Sequence, residues 1–561
     1  MKYGSFVILA LHCLIAWLAH AWSKQEASDP GTGSHLTAVK GTPFPSLIDV
    51  TIDDLQNGLQ SELFTSVDLV KAYIARTLLA NVTLNVITEL NPDALQIAAA
   101  LDAERAVGMT RGPLHGVPIF IKNTIATADK MNNTAGSYAL LGATVPRDAT
   151  VAAKLREAGA IILGKANMSQ WSSFRSGNSN DGWSAHGGQV YGAYYPMQTP
   201  SGSSSGSGVA TSLGLGFASL GAETDGSIVS PSQRNGVVGI KPTVGLTSRH
   251  LIIPISEHQD TVGPMARTVK DAAYILQAIA GPDPRDNYTS GIPNDGKIPD
   301  YVAACKLSAF RGTRIGVPRN LIQLGMNPDS AVEVLEFNTA VSTIRELGAT
   351  VIENAKYAGI RGWSESDAER IVLGADFISN LATYLSELTF NPTGVRDIIS
   401  LREFTRTFAA EMYPSRDTSR WDELIEKYGF NNTDPRFWTA YKEGVHLGGD
   451  GGHLGALQRF NLDAIVIPTK LANGFPAVVG SPVVTVPLGF YPPLHPVRFN
   501  KKGNLVATGP NIPFGISFLG RKWDEAKLIG MAYAFEQKTM TRNKVRPYFV
   551  PNIELGDIVG H

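Results

Sequence analysis

Cysteine is nearly absent from this sequence, which contains only Cys13 and Cys305 among 561 residues. Cys13 lies in the N-terminal stretch that would leave with a signal peptide, so Cys305 has no intrachain partner. A chain with 43% hydrophobic residues can build a core without a disulfide framework. Cys305 lies in "YVAACKLSAF", where no histidine stands at a motif spacing. We interpret it as a buried thiol and not as a nucleophile.

An excess of charge is also missing, as are the common metal and nucleotide motifs. The formal net charge is -1, so electrostatics gives no reason to expect nucleic acid or an anionic membrane as a partner. The sequence has no H-E-x-x-H, C-x-x-C, P-loop or G-x-G-x-x-G pattern. We therefore expect neither a metal nor a cofactor.

Long apolar runs are confined to the N-terminus. Lys2 is followed by an uncharged stretch that reaches Lys24 and contains Ala19-His20-Ala21, a small-residue cleavage pattern. This predicts a secretory signal peptide over residues 1–21, and a retained membrane anchor is the alternative. Residues 22–44 are interpreted as an N-terminal arm. Four sequons agree with a secreted glycoprotein, at Asn81, Asn132, Asn287 and Asn431.

The chain from about residue 45 to 550 is predicted to be one α/β domain. Thr65 and Asp68 resemble a capping box at the start of a helix. Asp148 is the predicted cap of a helix that leads into the buried strand "AIILG". Such alternation favours a largely parallel sheet covered by helices. Residues 285–455 are more charged and more helical, and form either part of this cover or an inserted lobe.

The most unusual stretch is "SGSSSGSGVATSLGLGFASLGAETDGSIVSPS", from Ser201 to Ser232. Gly202 to Gly206 fits G-x-S-x-G, which would make Ser204 the nucleophile of an α/β-hydrolase. However, alternating Gly and Ser produce this match easily, and the preceding "YGAYYPMQTP" is a poor strand. A linker would not need the apolar half of the stretch. We interpret the stretch as a catalytic loop.

Together with "GVPIFIKNTI" and "IPFGISFLGRKWDEAKLIGMAYAFEQ", this stretch resembles the amidase signature family, and most closely its peptide-amidase branch. The resemblance extends over most of residues 45–540 and is weakest between 285 and 455. It implies a large mixed β-sheet covered on both faces by helices. It also implies an enzyme that hydrolyses carboxylic amides to the acid and ammonia or an amine through an acyl-enzyme.

The resemblance places the family's Ser–cis-Ser–Lys triad on Ser227 as nucleophile, Ser203 as bridging serine and Lys122 as base. A serine attacks a carbonyl only when a base takes its proton. Lys122 ends the apolar run "VPIFIK", where desolvation can favour the neutral amine. The implied oxyanion hole consists of backbone N–H groups from Thr224, Asp225, Gly226 and Ser227.

Asp225 stands where much of this family has glycine, so its carboxylate is expected to point away from the oxyanion hole. Four residues between the lysine and serine motifs are candidates for a substrate pocket, namely Trp171, Ser172, Ser176 and Trp183. The expected partner is a small-molecule or peptide amide, with no membrane contact after signal removal. Three alternatives stay open: an esterase or acyltransferase with the same triad, a non-catalytic secreted binding protein, and an amidotransferase subunit, which the signal peptide disfavours.

Overall fold

Eleven of the strands described here form one mixed sheet. The computed structural model describes residues 44–326 and 330–560. The predicted signal peptide, Cys13 and all but the last residue of the predicted arm lie outside the described residues. The strands are β1 (Ile87–Leu90), β2 (Pro118–Lys122), β3 (Ile161–Ala166), β4 (Trp183–Ser184), β5 (Gly188–Gln189), β6 (Ala218–Glu223), β7 (Val238–Lys241), β8 (Thr261–Ala266), β9 (Arg314–Gly316), β10 (Thr350–Ile352), β11 (Ala464–Pro468), β12 (Val483–Phe490), β13 (Arg498–Phe499), β14 (Val506–Thr508) and β15 (Pro513–Leu519).

The sheet has the order β1-β3-β2-β6-β8-β7-β12-β15-β11-β9-β10. Strand β2 lies between β3 and β6 and is parallel to both, and β9 is parallel to β10 and β11. The other neighbours are antiparallel. The expectation of a largely parallel sheet is therefore correct around β2 and β9 and wrong for the other strand pairs. The mixed α/β architecture that the resemblance implies is confirmed.

Helices cover the sheet, and the apolar strands are buried as a result: every residue of β2, β3 and β11 is buried. The α-helices of the described residues are α1 (Ile52–Gln60), α2 (Ser66–Leu84), α3 (Ala94–Ala106), α4 (Thr150–Glu157), α5 (Ser205–Ser212), α6 (Val229–Arg234), α7 (Val269–Ile279), α8 (Arg319–Gly325), α9 (Ala331–Glu346), α10 (Ile360–Glu365), α11 (Ala368–Ser386), α12 (Ile398–Thr407), α13 (Ser419–Glu423), α14 (Pro435–Gly448), α15 (His453–Arg459), α16 (Phe475–Val478) and α17 (Glu525–Thr539). No helix in these ranges combines the length and apolar character needed to cross a bilayer.

Short helical turns complete the described secondary structure. They are 3-10 segments at Tyr138–Leu140, Gln170–Ser173, Asn287–Gly291, Ala409–Glu411, Thr469–Leu471, Thr541–Lys544 and Leu555–Asp557, and a π-helical turn at Leu424–Tyr428. Helix α2 begins with the predicted capping box, in which the Thr65 and Asp68 side chains each bond the other's backbone N–H. The predicted cap of α4 is wrong. Asp148 instead accepts hydrogen bonds from Ala128 N and Arg156 Nε, at 2.7 and 2.9 Å.

Candidate active site

Lys122 ends the buried strand β2, and its side chain is fully buried. Its Nζ donates to Ser203 Oγ at 2.7 Å and to the carbonyl of Ala222 at 2.8 Å. Burial lowers the pKa of Lys122 from 10.5 to about 7, although the negative charges of Asp260 and Glu223 oppose the shift. Near neutral pH this amine can therefore both accept and return a proton.

Ser203 lies in a tight loop before α5, and its peptide bond with Gly202 is cis. The Ser203 carbonyl accepts a hydrogen bond from Ser169 N at 3.1 Å. A Cβ at position 202 would lie 2.4 Å from Ser169 Oγ, so any larger residue would require the Ser169 side chain to move. Helix α5 packs on β2, β3, β6 and β8, and this packing holds the loop against the sheet.

Ser204, the serine of the G-x-S-x-G match, is fully buried. Its hydroxyl donates to the carbonyl of Ala222 at 3.2 Å and accepts from Ala222 N at 3.3 Å. No strand leads into it, since residues 199–203 lie outside the strands. The position therefore lacks the strand and the exposed hydroxyl of a nucleophile elbow.

The turn 224–227 connects β6 to α6, and Ser204 N donates to the carbonyl of Ser227 at 3.2 Å, which joins the two serine loops. Ser227 is half-buried, so its hydroxyl can be reached. Gly226 has φ +86, a conformation that favours glycine. Among the described residues, none accepts a hydrogen bond from the N–H groups of this turn, from Thr224 to Ser227. These groups are thus free to bind an oxyanion.

The carboxylates of Glu223 and Asp225 stabilise this turn without pointing toward its free N–H groups. Glu223 Oε2 accepts from the N–H groups of Ile228 and Val229, at 2.6 and 3.0 Å. Asp225 Oδ1 accepts from Gly474 N at 2.5 Å, so its carboxylate is directed toward a neighbouring loop. Burial raises the pKa of Asp225 to about 6, in spite of that hydrogen bond. Because its carboxylate points toward Gly474, Asp225 can occupy this turn without placing its charge against the free N–H groups.

The predicted pocket residues do not form one wall. Trp171 and Ser172 lie in the 3-10 segment Gln170–Ser173, with φ values of 50 and 53. Trp171 is buried and packs edge-to-face on Trp421, with ring centroids 6.1 Å apart. Ser172 lines a cavity with Thr224 of the turn. Only the second of these two residues therefore borders the turn of Ser227.

Ser176 and Trp183 line a separate cavity with Asp181 and Arg420. This cavity adjoins the loop of Ser203, because a Cβ built on Gly202 would lie 3.3 Å from Asp181 Oδ1. The structure thus brings Lys122, Ser203 and the turn of Ser227 together. It distributes the four predicted pocket residues between two cavities and the core.

One group of side chains in the described residues lies close enough together to hold a metal ion. Ligand atoms of Glu257, His258 and Asp376 lie within 4.8 Å of one another. His258 Nδ1 hydrogen-bonds Asp376 at 2.8 Å, and Asn432 Nδ2 donates to Glu257 and Asp376 at 2.8 and 3.0 Å. These hydrogen bonds account for the grouping, and we assign no metal to it.

Comparison with known proteins agrees with the fold. The family model Amidase matches residues 68–529. A protein of Arthroderma benhamiae that is named as an amidase is 52% identical over 537 residues, covering 92% of this chain and 90% of that protein. The crystal structure of native peptide amidase from Stenotrophomonas maltophilia is 37% identical with a TM-score of 0.79, covering 89% of this chain and 99% of that one. An amidase family protein of Bacillus anthracis is 29% identical with a TM-score of 0.77, covering 90% and 93%.

The fold and these relatives define an enzyme of the hydrolase class that cleaves carbon–nitrogen bonds of amides. More particularly, the chain belongs to the Amidase family. The resemblance identified in the sequence is therefore confirmed at the level of family and enzyme class.

Sequence reasoning missed one side chain beside the turn. Thr224 Oγ1 donates to Asp260 Oδ1 at 2.5 Å. Thr224 directly follows β6, and Asp260 directly precedes the neighbouring strand β8. The available signal was an acidic residue directly before the apolar strand "TVGPMA". Its partner could not be inferred, because strand β8 pairs with β6 only in the folded sheet.

Proposed function

We propose that this chain hydrolyses carboxylic amides with Ser227 as nucleophile, Ser203 as proton relay and Lys122 as base. The observation that carries this proposal is the 2.7 Å hydrogen bond between the fully buried Lys122 Nζ and Ser203 Oγ. A buried amine next to a hydroxyl is a base that can act near neutral pH. Ser203 relays the proton, because a hydroxyl can accept one hydrogen bond while donating another.

The reaction proceeds in two halves. Ser227 Oγ attacks the amide carbon while its proton passes to Ser203, and the Ser203 proton passes to neutral Lys122. The proton then returns along the same path to the amide nitrogen, the carbon–nitrogen bond breaks, and ammonia or an amine leaves. Water attacks the acyl-enzyme with the same relay, and the acid is released.

Hydrogen-bond donors must stabilise the negative charge that develops on the carbonyl oxygen during the attack. The N–H groups of the turn have no other described acceptor, and each donor in such a hole contributes about 3 kcal/mol to catalysis. The proposed donors are the backbone N–H groups of Thr224, Asp225, Gly226 and Ser227. The direction of the Asp225 carboxylate supports this role, because it faces Gly474 and not the turn.

Peptide amides are the substrate class to test first. A structure at 37% identity is a peptide amidase, and a related structure contains the competitive inhibitor chymostatin. Ser172 would contact the substrate beside the turn. Ser176 and Trp183 would contact it near the loop of Ser203, and Trp171 would support this surface from the core.

A pair of serine variants tests the nucleophile. We expect Ser227→Ala to abolish labelling by a fluorophosphonate probe and ammonia release from peptide amides. The matched control is Ser204→Ala, which removes the neighbouring buried hydroxyl and should leave Ser227 labelled. Full labelling of Ser227→Ala together with loss of labelling in Ser204→Ala would reverse the assignment and favour the G-x-S-x-G serine.

Secretion and glycosylation form part of the proposal. The apolar stretch at residues 1–21 supports export, and Asn287 and Asn431 are exposed acceptors. Asn81 and Asn132 are half-buried, and their side-chain amides already donate hydrogen bonds. Expression in a secreting eukaryotic host should give a glycan mass shift that Asn287→Gln and Asn431→Gln remove. Cytosolic retention without a glycan would contradict this part.

A further inference from the structure

Three consecutive side chains attach the turn to different parts of the fold. Glu223 accepts hydrogen bonds from the backbone N–H groups that follow Ser227, and Asp225 accepts one from Gly474 N. Thr224 is bound instead by another side chain, Asp260, at 2.5 Å. The Thr224–Asp260 bond thus connects the start of the turn to the end of the 255–260 loop.

Asp260 is itself held rigidly. Its Oδ2 accepts from Ile255 N at 2.8 Å and from Ser256 N at 3.0 Å. Its own N–H donates to the carbonyl of Ser256 at 2.8 Å. These bonds orient the carboxylate, so that Oδ1 is presented to Thr224 in one direction. A hydrogen bond to a charged acceptor of this kind is among the stronger ones in proteins.

The same carboxylate lies on the Lys122 side of the turn. Asp260, Thr224 and Ala222 line one cavity, and the carbonyl of Ala222 accepts a hydrogen bond from Lys122 Nζ. The charged groups that face Lys122 are Asp260 and Glu223, and both stabilise its protonated form. Burial raises the pKa of Asp260 to about 6, although Arg249, which faces it, opposes the shift, so Asp260 is negatively charged at neutral pH and above. A substitution of Asp260 would therefore change the electrostatic environment of Lys122 as well as the anchoring of the turn.

We propose that Asp260 is a positioning residue that aims the oxyanion turn through Thr224 and places a negative charge on the Lys122 side of that turn. This inference rests on the proposed function, since it assigns Asp260 a role toward the turn and the base named there. Asp260 acts through Thr224 and Lys122 and need not touch the substrate.

The anchoring role is tested by the rate at which the purified full chain reacts with a fluorophosphonate probe. Thr224→Val removes the hydroxyl at nearly constant volume, and we expect the labelling rate to fall by roughly tenfold, the effect of losing one hydrogen bond to a charged group. Thr224→Ser restores the hydroxyl and should restore most of the rate. A rate unchanged in Thr224→Val would overturn the proposal.

The structure offers a matched control for this step. Thr150 Oγ1 donates to Asp283 Oδ2 at 2.5 Å, which is a bond of the same type and length away from the turn. Thr150→Val should lower the melting temperature as Thr224→Val does, without changing the labelling rate. An equal loss of rate in both variants would show that lost stability alone explains the effect.

The charge is tested by the pH dependence of the same rate. Asp260→Asn keeps the shape of the side chain, and its amide can still bond both Thr224 and the 255–260 loop. We expect the midpoint of the pH profile to move down by roughly half a unit or more, because one of the two negative charges facing Lys122 is lost. Thr224→Val keeps the carboxylate but removes a hydrogen bond that lowers its pKa, so it should move the midpoint less than Asp260→Asn does. A midpoint that stays or rises in Asp260→Asn would refute the charge effect, and the Thr224 pair decides the anchoring role independently.

Failure of the proposed function gives a different pattern. If Ser227→Ala still reacts, or if replacing Lys122 leaves the pH profile intact, the triad itself is wrong. If those two controls behave as expected while the Thr224 and Asp260 variants match the wild type, only the role of Asp260 is wrong.

Discussion

Lys122 and Lys165 lie near the ends of two neighbouring strands, one register position apart, and differ in what their amines contact. Lys165 pairs with Ile121 in the parallel register of β2 and β3, one residue before Lys122. Both side chains are fully buried, and burial lowers the pKa of each to about 7. Lys122 Nζ reaches the hydroxyl of Ser203, whereas Lys165 Nζ reaches only the oxygens of Ile125 and Asn133, at 2.6 and 2.8 Å.

The difference shows that a buried amine is not sufficient for proton transfer. A carbonyl or amide oxygen accepts a hydrogen bond but has no proton to give, so the amine of Lys165 is held without a route to any substrate. A hydroxyl does both, and it can connect Lys122 to a second hydroxyl. A lowered pKa therefore identifies a candidate base, and the chemical type of its neighbour decides whether the base can work.

The largest effect should come from removing Lys122, with removal of Lys165 as the matched control. Lys122→Met should reduce amide hydrolysis by about 1,000-fold or more, since it removes the base from a relay whose members act as a unit. Lys165→Met should leave the rate per folded molecule within about threefold, because its amine touches no reacting group. The measurement is ammonia release normalised by circular dichroism and thermal unfolding. Comparable losses in both variants would remove the distinction between the two lysines.

A smaller and more diagnostic effect is the pH dependence of the wild type. Lys122 must be neutral to accept a proton, and its pKa is about 7. The rate of fluorophosphonate labelling should therefore rise about tenfold from pH 6 to pH 8 and then level off. A rate that keeps rising toward pH 10 would indicate a lysine with an ordinary pKa, and a flat profile would indicate a different base.

Local sequence predicted that Lys122 is desolvated, but it could not separate Lys122 from Lys165. The runs "VPIFIK" and "AIILGK" are alike, with apolar residues that lead to a terminal lysine. Desolvation depends on this local pattern. The partner of Lys122 comes from a loop 81 residues further along the chain. Only the family resemblance singled out Lys122, because a contact over that distance has no signature in the composition of either segment.

The same limit applies to the fold. The capping box at Thr65 was predictable, because both members lie within one turn of helix. The antiparallel pairs that join β6 to β8 and β12 to β15 depend on strands from distant parts of the chain. The left-handed backbone at Trp171 and Ser172 is likewise set by packing, since neither residue favours that conformation. Nearest-neighbour chemistry could be derived from the sequence, and the meeting of distant loops could not.

The smallest expected effect concerns stability, and it uses Lys165 as the probe. Its pKa is about 7 when folded and about 10.4 in an unfolded chain. Between these values the unfolded chain binds a proton that the folded protein lacks, so this group's contribution to the free energy of unfolding rises with pH. Below pH 7 both states are protonated, and the cost of burying the charged amine is present in full.

Lys165→Met removes this pH dependence while keeping an apolar chain of similar length. We expect the melting temperature of the wild type relative to Lys165→Met to increase from pH 6 to pH 9, corresponding to a change on the order of 2–3 kcal/mol. Comparing the two proteins at each pH cancels the titration of all other groups. A constant difference would mean that Lys165 keeps an ordinary pKa. The similarity of its environment to that of Lys122 would then no longer support a neutral base at the end of β2.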